Sequence, residues 1–232
     1  MGRLLVFSPH CDDVALSCAA LLDRGEPVDV LTVFGGRPEP PRRGYWDERC
    51  GFADSDEAVR VRQAEELEAL GEGGHRVTFL DLLEEQYLEG ERSAADAAPI
   101  AEAIDAWGEG LVAAPVGAGL GSGLLDRLRT RSGVPPHPDH LFVRDAVLSA
   151  ARGPVLLYEE FPYLRSGGAK REAAQLGAEP LAFRVDREAK ARRISEYASQ
   201  LPFIGSVGER LDDPAALPET ERYWLLRSRG RG

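Results

Sequence analysis

Cysteine is scarce in this chain of 232 residues, and the three present, Cys11, Cys18 and Cys50, form no CxxC pair. An odd set without paired spacing indicates neither a disulfide framework nor a cysteine zinc site. Free thiols are typical of a reducing compartment, so we expect a cytoplasmic protein. The first ten residues are too short for a signal peptide and end in polar groups. No run approaches about 18 apolar residues, which argues against a membrane-spanning helix.

Lysine is also scarce, occurring only at positions 170 and 190, and the formal net charge is −11. Nucleic-acid binding needs clustered Lys and Arg, so we expect no nucleic-acid partner. Apolar residues make up 43% and charged residues 29%, ordinary values for a globular protein with a sizeable core. The length suits one domain covering residues 1–232, and no internal repeat or linker divides it.

Short apolar runs alternate with stretches of helical periodicity. The predicted strands are Leu4–Phe7, Val28–Phe34, Val77–Leu80, Leu111–Ala114 and Val155–Tyr158, with a late strand at Tyr223–Leu226. The predicted helices are Asp13–Arg24, Asp56–Leu70, Ala95–Trp107 and His140–Ala151. This rhythm predicts an α/β, Rossmann-like fold with a mostly parallel sheet flanked by helices. The part from about residue 205 onward is less regular.

Polar motifs follow the strands at the edge where such sheets bind ligands. A cluster from Ser8 to Asp13 comes directly after the first strand, and a Gly-rich loop from Gly117 to Gly123 follows the fourth. A loop rich in Gly, Pro and Arg, from Gly35 to Ser55, follows the second strand. Long loops at this edge are usually functional or disordered.

Three of the four histidines lie in two compact clusters with three aspartates. The first cluster holds His10, Asp12 and Asp13, and the second reads His-Pro-Asp-His from His137 to His140. Each cluster alone could be a helix cap, because Asp is a favoured N-cap. Their co-occurrence indicates a metal site instead, since a catalytic zinc takes three nitrogen or oxygen ligands and leaves one position open. Two adjacent aspartates can then divide ligand and general-base roles.

These residues resemble the PIG-L/LmbE-like zinc N-deacetylases. The segment from Ser8 to Ser17 is similar to that family's PHPDDE signature, and residues 137–140 are similar to its HPDH motif. The segment Tyr158–Tyr163 is similar to a third family segment, so the resemblance spans about the first 165 residues. It implies that His10, Asp13 and His140 bind Zn²⁺.

The resemblance also implies the catalytic roles. Asp12 matches the general base, His137 a histidine that stabilises the oxyanion when protonated, and Asp139 a carboxylate that orients an imidazole. Cys11 and Val14 depart from the signature, which has Pro and Glu there, and Cys11 is expected to be a small buried residue at a tight turn.

Arg side chains offer further candidates for substrate binding. Arg62 with Glu65 fits an Arg-x-x-Glu spacing of the family, and Arg62 is the candidate for a substrate contact. For Glu65 we expect only a structural ion pair along the helix. His75 is assigned to a surface turn without a role. The stretch Leu124–Pro136, which carries Arg127, Arg129 and Arg131, is either a basic lid or a solvated loop.

The expected activity is zinc-dependent removal of an acetyl group from an N-acetylglucosamine-type sugar of a small-molecule conjugate, as in natural-product biosynthesis. The alternatives are an amidase that cleaves a larger amide of a sugar conjugate and a degenerate sugar-binding protein. A nucleotide-binding module is weaker, because the first turn lacks GxGxxG. The expected partner is a small molecule, without an integral membrane segment, and homo-oligomerisation stays open.

Overall fold

A single sheet organises the chain in the computed structural model, which describes residues 2–117, 137–163, 168–204 and 210–227. Within these ranges seven strands lie in the order β3-β2-β1-β4-β5-β7-β6. Their bounds are β1 Leu4–Ser8, β2 Asp29–Thr32, β3 Arg76–Phe79, β4 Leu111–Pro115, β5 Val155–Tyr158, β6 Glu179–Arg184 and β7 Thr220–Leu226. The first five strands are parallel to one another, and β7 pairs antiparallel with both β5 and β6. The predicted α/β fold with a mostly parallel sheet is therefore confirmed.

Strand β6 was not predicted from the sequence. All six of its residues are exposed, so no buried apolar run marks it. It pairs only with β7 and forms one edge of the sheet, where an exposed strand is tolerated. The late strand β7 was predicted, but it begins at Thr220 rather than Tyr223.

Helices cover both faces of the sheet. Their bounds are α1 Asp13–Ser17, α2 Ala19–Leu22, α3 Tyr45–Cys50, α4 Ser55–Gly71, α5 Ala98–Trp107, α6 Pro138–Ala150, α7 Gly168–Leu176 and α8 Arg187–Ser195. Leu5 and Phe7 of β1 pack into the core under α5 and α6. Leu4 and Val6 pack into the opposite core with Val14 of α1 and Leu70 of α4. This two-sided burial explains why the parallel strands read as continuous apolar runs.

The expected single helix Asp13–Arg24 is wrong, because the helix breaks at Cys18 between α1 and α2. The backbone N–H groups of Ala19 and Ala20 donate to the Glu221 carboxylate of β7, at 3.0 and 2.9 Å. A carboxylate that accepts from the first free N–H groups of a helix caps it. The cap comes from a residue about 200 positions away, so no local pattern could indicate it.

The loop predicted from Gly35 to Ser55 contains α3, which begins after Gly44 and ends at Gly51. The helix predicted over Ala95–Trp107 begins with a 3₁₀ turn at Ala94–Ala97 before α5. Among the described helices, none combines the length and apolar character needed to cross a bilayer.

Candidate metal centre

The turn after β1 brings the first polar cluster to the carboxyl edge of the sheet. The Ser8 hydroxyl donates to the carbonyl of His10 at 2.7 Å, and the N–H of His10 donates to Asp13 Oδ2 at 2.8 Å. Asp12 has a φ of 107°, a backbone angle that residues other than glycine rarely adopt. Asp13 turns its carboxylate toward His10 and His140, and Asp12 carries a second carboxylate next to it.

Glu66 of α4 fixes the strained turn from behind. Its Oε2 accepts the N–H of Asp12 at 3.0 Å and the hydroxyl of Tyr197, and its Oε1 accepts the hydroxyl of Thr32 at 3.3 Å. Glu66 is fully buried, and burial raises its pKa to about 7 against these hydrogen bonds. Sequence reasoning did not select Glu66, because an isolated carboxylate in a long helix carries no local signal.

The second cluster forms the start of α6. His137 is the N-cap residue, and its Nδ1 accepts the N–H of Asp139 at 3.2 Å. Asp139 and His140 lie in the first turn and are buried. The neutral His137 ring therefore carries its proton on Nε2.

The three predicted metal ligands surround one space. Asp13 Oδ2 lies 3.4 Å from His10 Nδ1 and 3.4 Å from His140 Nε2. Zinc bonds of about 2.0–2.1 Å in a tetrahedral site place neighbouring ligand atoms about 3.3 Å apart. The residues present therefore fit a zinc ion, in both ligand type and spacing.

A second set, His10, His137 and Asp139, also has ligand atoms close enough to share an ion. The two sets differ in the contact made by the outer nitrogen of each histidine ring, that is, the nitrogen that would not bind the ion. His10 Nε2 lies 3.1 Å from Asp139 Oδ2, and His140 Nδ1 lies 3.3 Å from Glu160 Oε1. Metal-binding histidines usually donate their other N–H to such an acceptor. Because His137 instead accepts at Nδ1 from a backbone N–H, the geometry favours the set His10, Asp13 and His140.

Glu160 joins the site from the end of β5. Its Oε1 accepts the N–H of Gly117 at 2.8 Å as well as facing His140. Gly117 has a φ of 87°, and a Cβ there would lie 2.8 Å from a methyl group of Leu141, so glycine is required at this turn. The similarity of Tyr158–Tyr163 to the third family segment was the signal that could have identified Glu160.

The charges of the cluster shift the pKa values of its members in opposite directions. Burial lowers the pKa of His10, but hydrogen bonds to Asp13 and Asp139 prevail and raise it to about 10. Burial would raise the pKa of Asp13, but His140 and His10 lower it to about 2. Burial and the charge of Asp13 raise the pKa of Asp12 well above its usual range, the direction a general base needs. Burial, then the neighbouring His10 and His140, lower the pKa of His137 to about 3.

Arg62 is buried rather than open to the site. It is 5% exposed, and its Nη1 pairs with Glu84, which in turn accepts from Gln86 Nε2 at 2.7 Å. Its substrate contact stays a prediction. The ion pair expected for Glu65 along the helix is wrong, because Glu65 accepts from the N–H and the hydroxyl of Ser199, at 2.8 and 2.6 Å.

Other expectations have mixed outcomes. Cys11 is buried at the turn, as expected. His75, assigned to a surface turn, is partly buried, and its Nδ1 accepts the N–H of Val28 at 3.2 Å. The stretch Leu124–Pro136 and the Gly-rich loop beyond Gly117 lie outside the described residues.

The fold agrees with comparisons to known proteins. The family model for PIG-L, GlcNAc-PI de-N-acetylase, matches residues 5–151. The chain belongs to this family. The expected resemblance to this family is thus confirmed.

Several individual relatives are deacetylases. A 2'-N-acetylparomamine deacetylase from Niallia circulans is 31% identical, over 95% of this chain and 90% of the relative. The solved structure of A40926 pseudoaglycone deacetylase is 25% identical, covers 99% of both chains and has a TM-score of 0.69. The zinc-inhibited form of teicoplanin deacetylase is also 25% identical, covers 99% of this chain and 100% of that chain, and has a TM-score of 0.70.

Proposed function

We propose that this chain is a zinc-dependent deacetylase that removes the acetyl group from an N-acetyl amino sugar of a small-molecule conjugate. One observation carries the proposal. His10, Asp13 and His140 surround a common space, and each of the two histidines has a carboxylate at its outer nitrogen. The neighbouring Asp12 supplies a second carboxylate that the ligand set does not use.

In this proposal His10, Asp13 and His140 hold the ion. Bound zinc would polarise the amide carbonyl and make a water more acidic. Asp12 accepts a proton from the attacking water and passes it to the departing nitrogen. Its raised pKa suits both halves of that transfer.

We assign His137 a donor role. Because its Nδ1 accepts the N–H of Asp139, its Nε2–H is available to the amide oxygen as negative charge develops there. A preorganised donor of this kind contributes roughly 10²–10³ in rate. This differs from the protonated histidine implied by the family resemblance.

The named relatives support the substrate class. They act on 2'-N-acetylparomamine and on a pseudoaglycone, both small-molecule natural-product intermediates. The substrate proposed here is of the same kind, within a biosynthetic pathway. We propose that the chain acts in the cytoplasm as a single domain, and its three free cysteines are typical of that reducing compartment.

The direct test is acetate release from a panel of N-acetylglucosamine conjugates with neutral, cationic and anionic aglycones. We expect turnover of at least one conjugate, loss of turnover with a chelator and recovery with Zn²⁺. Because a zinc-inhibited form of one relative exists, Zn²⁺ should be titrated from substoichiometric amounts upward.

The same panel separates the rival functions. Matched conjugates that carry a longer acyl group test the amidase alternative, which predicts release of the longer acid and little acetate. Binding of a conjugate without release of either acid, with zinc bound, would indicate the sugar-binding alternative and overturn the proposal.

A further inference from the structure

Arg92 is a partly buried cation beside the candidate metal centre, and no motif contains it. It lies between β3 and α5, and its side chain is 11% exposed. Its guanidinium carbon lies 4.2 Å from the ring centre of Phe34 and 4.9 Å from that of Phe142. Its Nη2 donates to the carbonyl of Leu83 at 2.9 Å. These contacts hold the guanidinium in one place independently of any carboxylate.

The carboxylate that Arg92 meets is Asp139. Arg92 Nη2 donates to Asp139 Oδ1, while Oδ2 accepts the N–H of Glu85 at 3.0 Å and faces His10 Nε2 at 3.1 Å. Both oxygens of Asp139 therefore have fixed partners. The carboxylate cannot rotate without breaking the contact with Arg92.

The orientation of Asp139 matters because His10 has two nitrogens and two neighbouring carboxylates. With Nε2 directed to Asp139, Nδ1 faces Asp13. The alternative set with His10 and His137 would need an oxygen of Asp139 as a ligand, and both of these oxygens already have partners in Arg92 and the N–H of Glu85. Fixing Asp139 therefore keeps His10 available to the set with Asp13 and His140.

We propose that Arg92 is a positioning residue of the metal centre: it anchors Asp139, which orients His10 toward the ion. The inference rests on the metal centre of the proposed function. Charge and orientation make opposite predictions here. Removing a positive charge would by itself tighten binding of Zn²⁺, whereas loss of orientation would weaken it.

The test is the dissociation constant of Zn²⁺ in the full-length protein, measured by competition with a chromogenic chelator without any substrate. We expect Arg92→Met to weaken binding about 10- to 100-fold. Arg92→Lys should recover part of the loss, because it keeps the cation but not the planar group. The matched control is Arg193→Met, since Arg193 also pairs with a carboxylate, Asp23, and is 16% exposed.

A double-mutant cycle with Asp139→Asn separates positioning from general destabilisation. If Arg92 acts through Asp139, Arg92→Met should have little further effect on the affinity in the Asp139→Asn background. Circular dichroism of the metal-free variants confirms that they are folded.

Three outcomes would overturn parts of the inference. Unchanged or tighter binding of Zn²⁺ in folded Arg92→Met would exclude the positioning role of Arg92 and leave the metal centre itself in place. An equal loss in both backgrounds would show that it does not act through Asp139. A wild-type protein that binds no Zn²⁺ would overturn the metal centre itself, whereas missing acetate release with tight binding would contradict only the proposed reaction.

Discussion

Asp12 holds a backbone conformation that costs a non-glycine residue roughly 1–3 kcal/mol, with a φ of 107°. Among the described residues it is the one non-glycine with positive φ. The hydrogen bond from its N–H to buried Glu66 offsets part of that cost. Strain of this kind is concentrated at functional sites, and here it occurs at the residue directly before Asp13.

The first prediction concerns this residue. Asp12→Asn should retain the metal and lose at least 10²-fold in kcat, because the amide cannot accept a proton. Metal content by elemental analysis and acetate release by a coupled assay check this. The control is Asp56→Asn, an exposed acid on α4. Wild-type turnover in Asp12→Asn would remove the base assignment.

The second prediction distinguishes the two sets of ligands. His140→Ala should lose the metal, whereas His137→Ala should keep it and lose turnover, because His137 has no carboxylate at its outer nitrogen. Zinc per chain after dialysis is the measurement. The reverse pattern would assign the ion to His10, His137 and Asp139.

The motif residues could be predicted from the sequence because each cluster is contiguous, and proximity along the chain places the side chains together. Glu66 and Arg92 could not. Each is a single charged residue far from both motifs, and charged residues at isolated positions are common on any surface. Only the folded chain shows that both contact residues of the motifs, Glu66 through the N–H of Asp12 and Arg92 through the carboxylate of Asp139.

At the scale of elements, α4 delivers a buried acid to the turn after β1, and this makes stability depend on pH. The pKa of Glu66 is raised from an ordinary value of 4.5 to about 7, first by burial. Between these values the folded state holds more protons than the unfolded state, so this group stabilises the fold less as pH rises.

The third prediction follows from that sign. Glu66→Gln cannot ionise, so its free energy of unfolding should improve relative to wild type as pH rises from about 4.5 to about 7, and then level off. Urea denaturation of both proteins at several pH values measures the difference. A difference that is independent of pH would show that Glu66 keeps an ordinary pKa.

The fourth prediction concerns the cap of α2. Glu221 accepts from Lys190 Nζ at 2.7 Å, and both side chains are buried. Glu221→Gln leaves the Lys190 charge without its partner and should cost roughly 3–5 kcal/mol in the free energy of unfolding. The control is Arg152→Met, which breaks an exposed pair with Asp105 and should cost at most about 1 kcal/mol. Similar losses in both variants would contradict this reading of the Glu221 pair.

The parallel strands were predictable because burial on both faces gives each a continuous apolar run. The break at Cys18 and the exposed strand β6 were not, because both depend on β7, which follows them in the chain. Secondary structure that is decided by a distant partner leaves no local periodicity.

At the scale of the whole molecule, the metal should act as a stabilising ligand. An ion that binds only the folded chain at 100 times its Kd adds about 2.7 kcal/mol. For a chain of this length each kcal/mol raises Tm by roughly 2–4 °C. We therefore expect a chelator to lower Tm by several degrees in wild type and to have no effect in His140→Ala. Calorimetry at several Zn²⁺ concentrations is the fifth test, and equal shifts in both proteins would exclude binding at His140.

Tyr197 and Glu221 have a consequence for protein engineering. Both lie beyond residue 151, where the family match ends, yet Tyr197 bonds to Glu66 behind the Asp12 turn and Glu221 fixes the start of α2. A hybrid that joins the first part of this chain to the last part of a relative would therefore have to carry compatible partners for both residues. Crossover points chosen from the catalytic motifs alone would separate the motifs from their support.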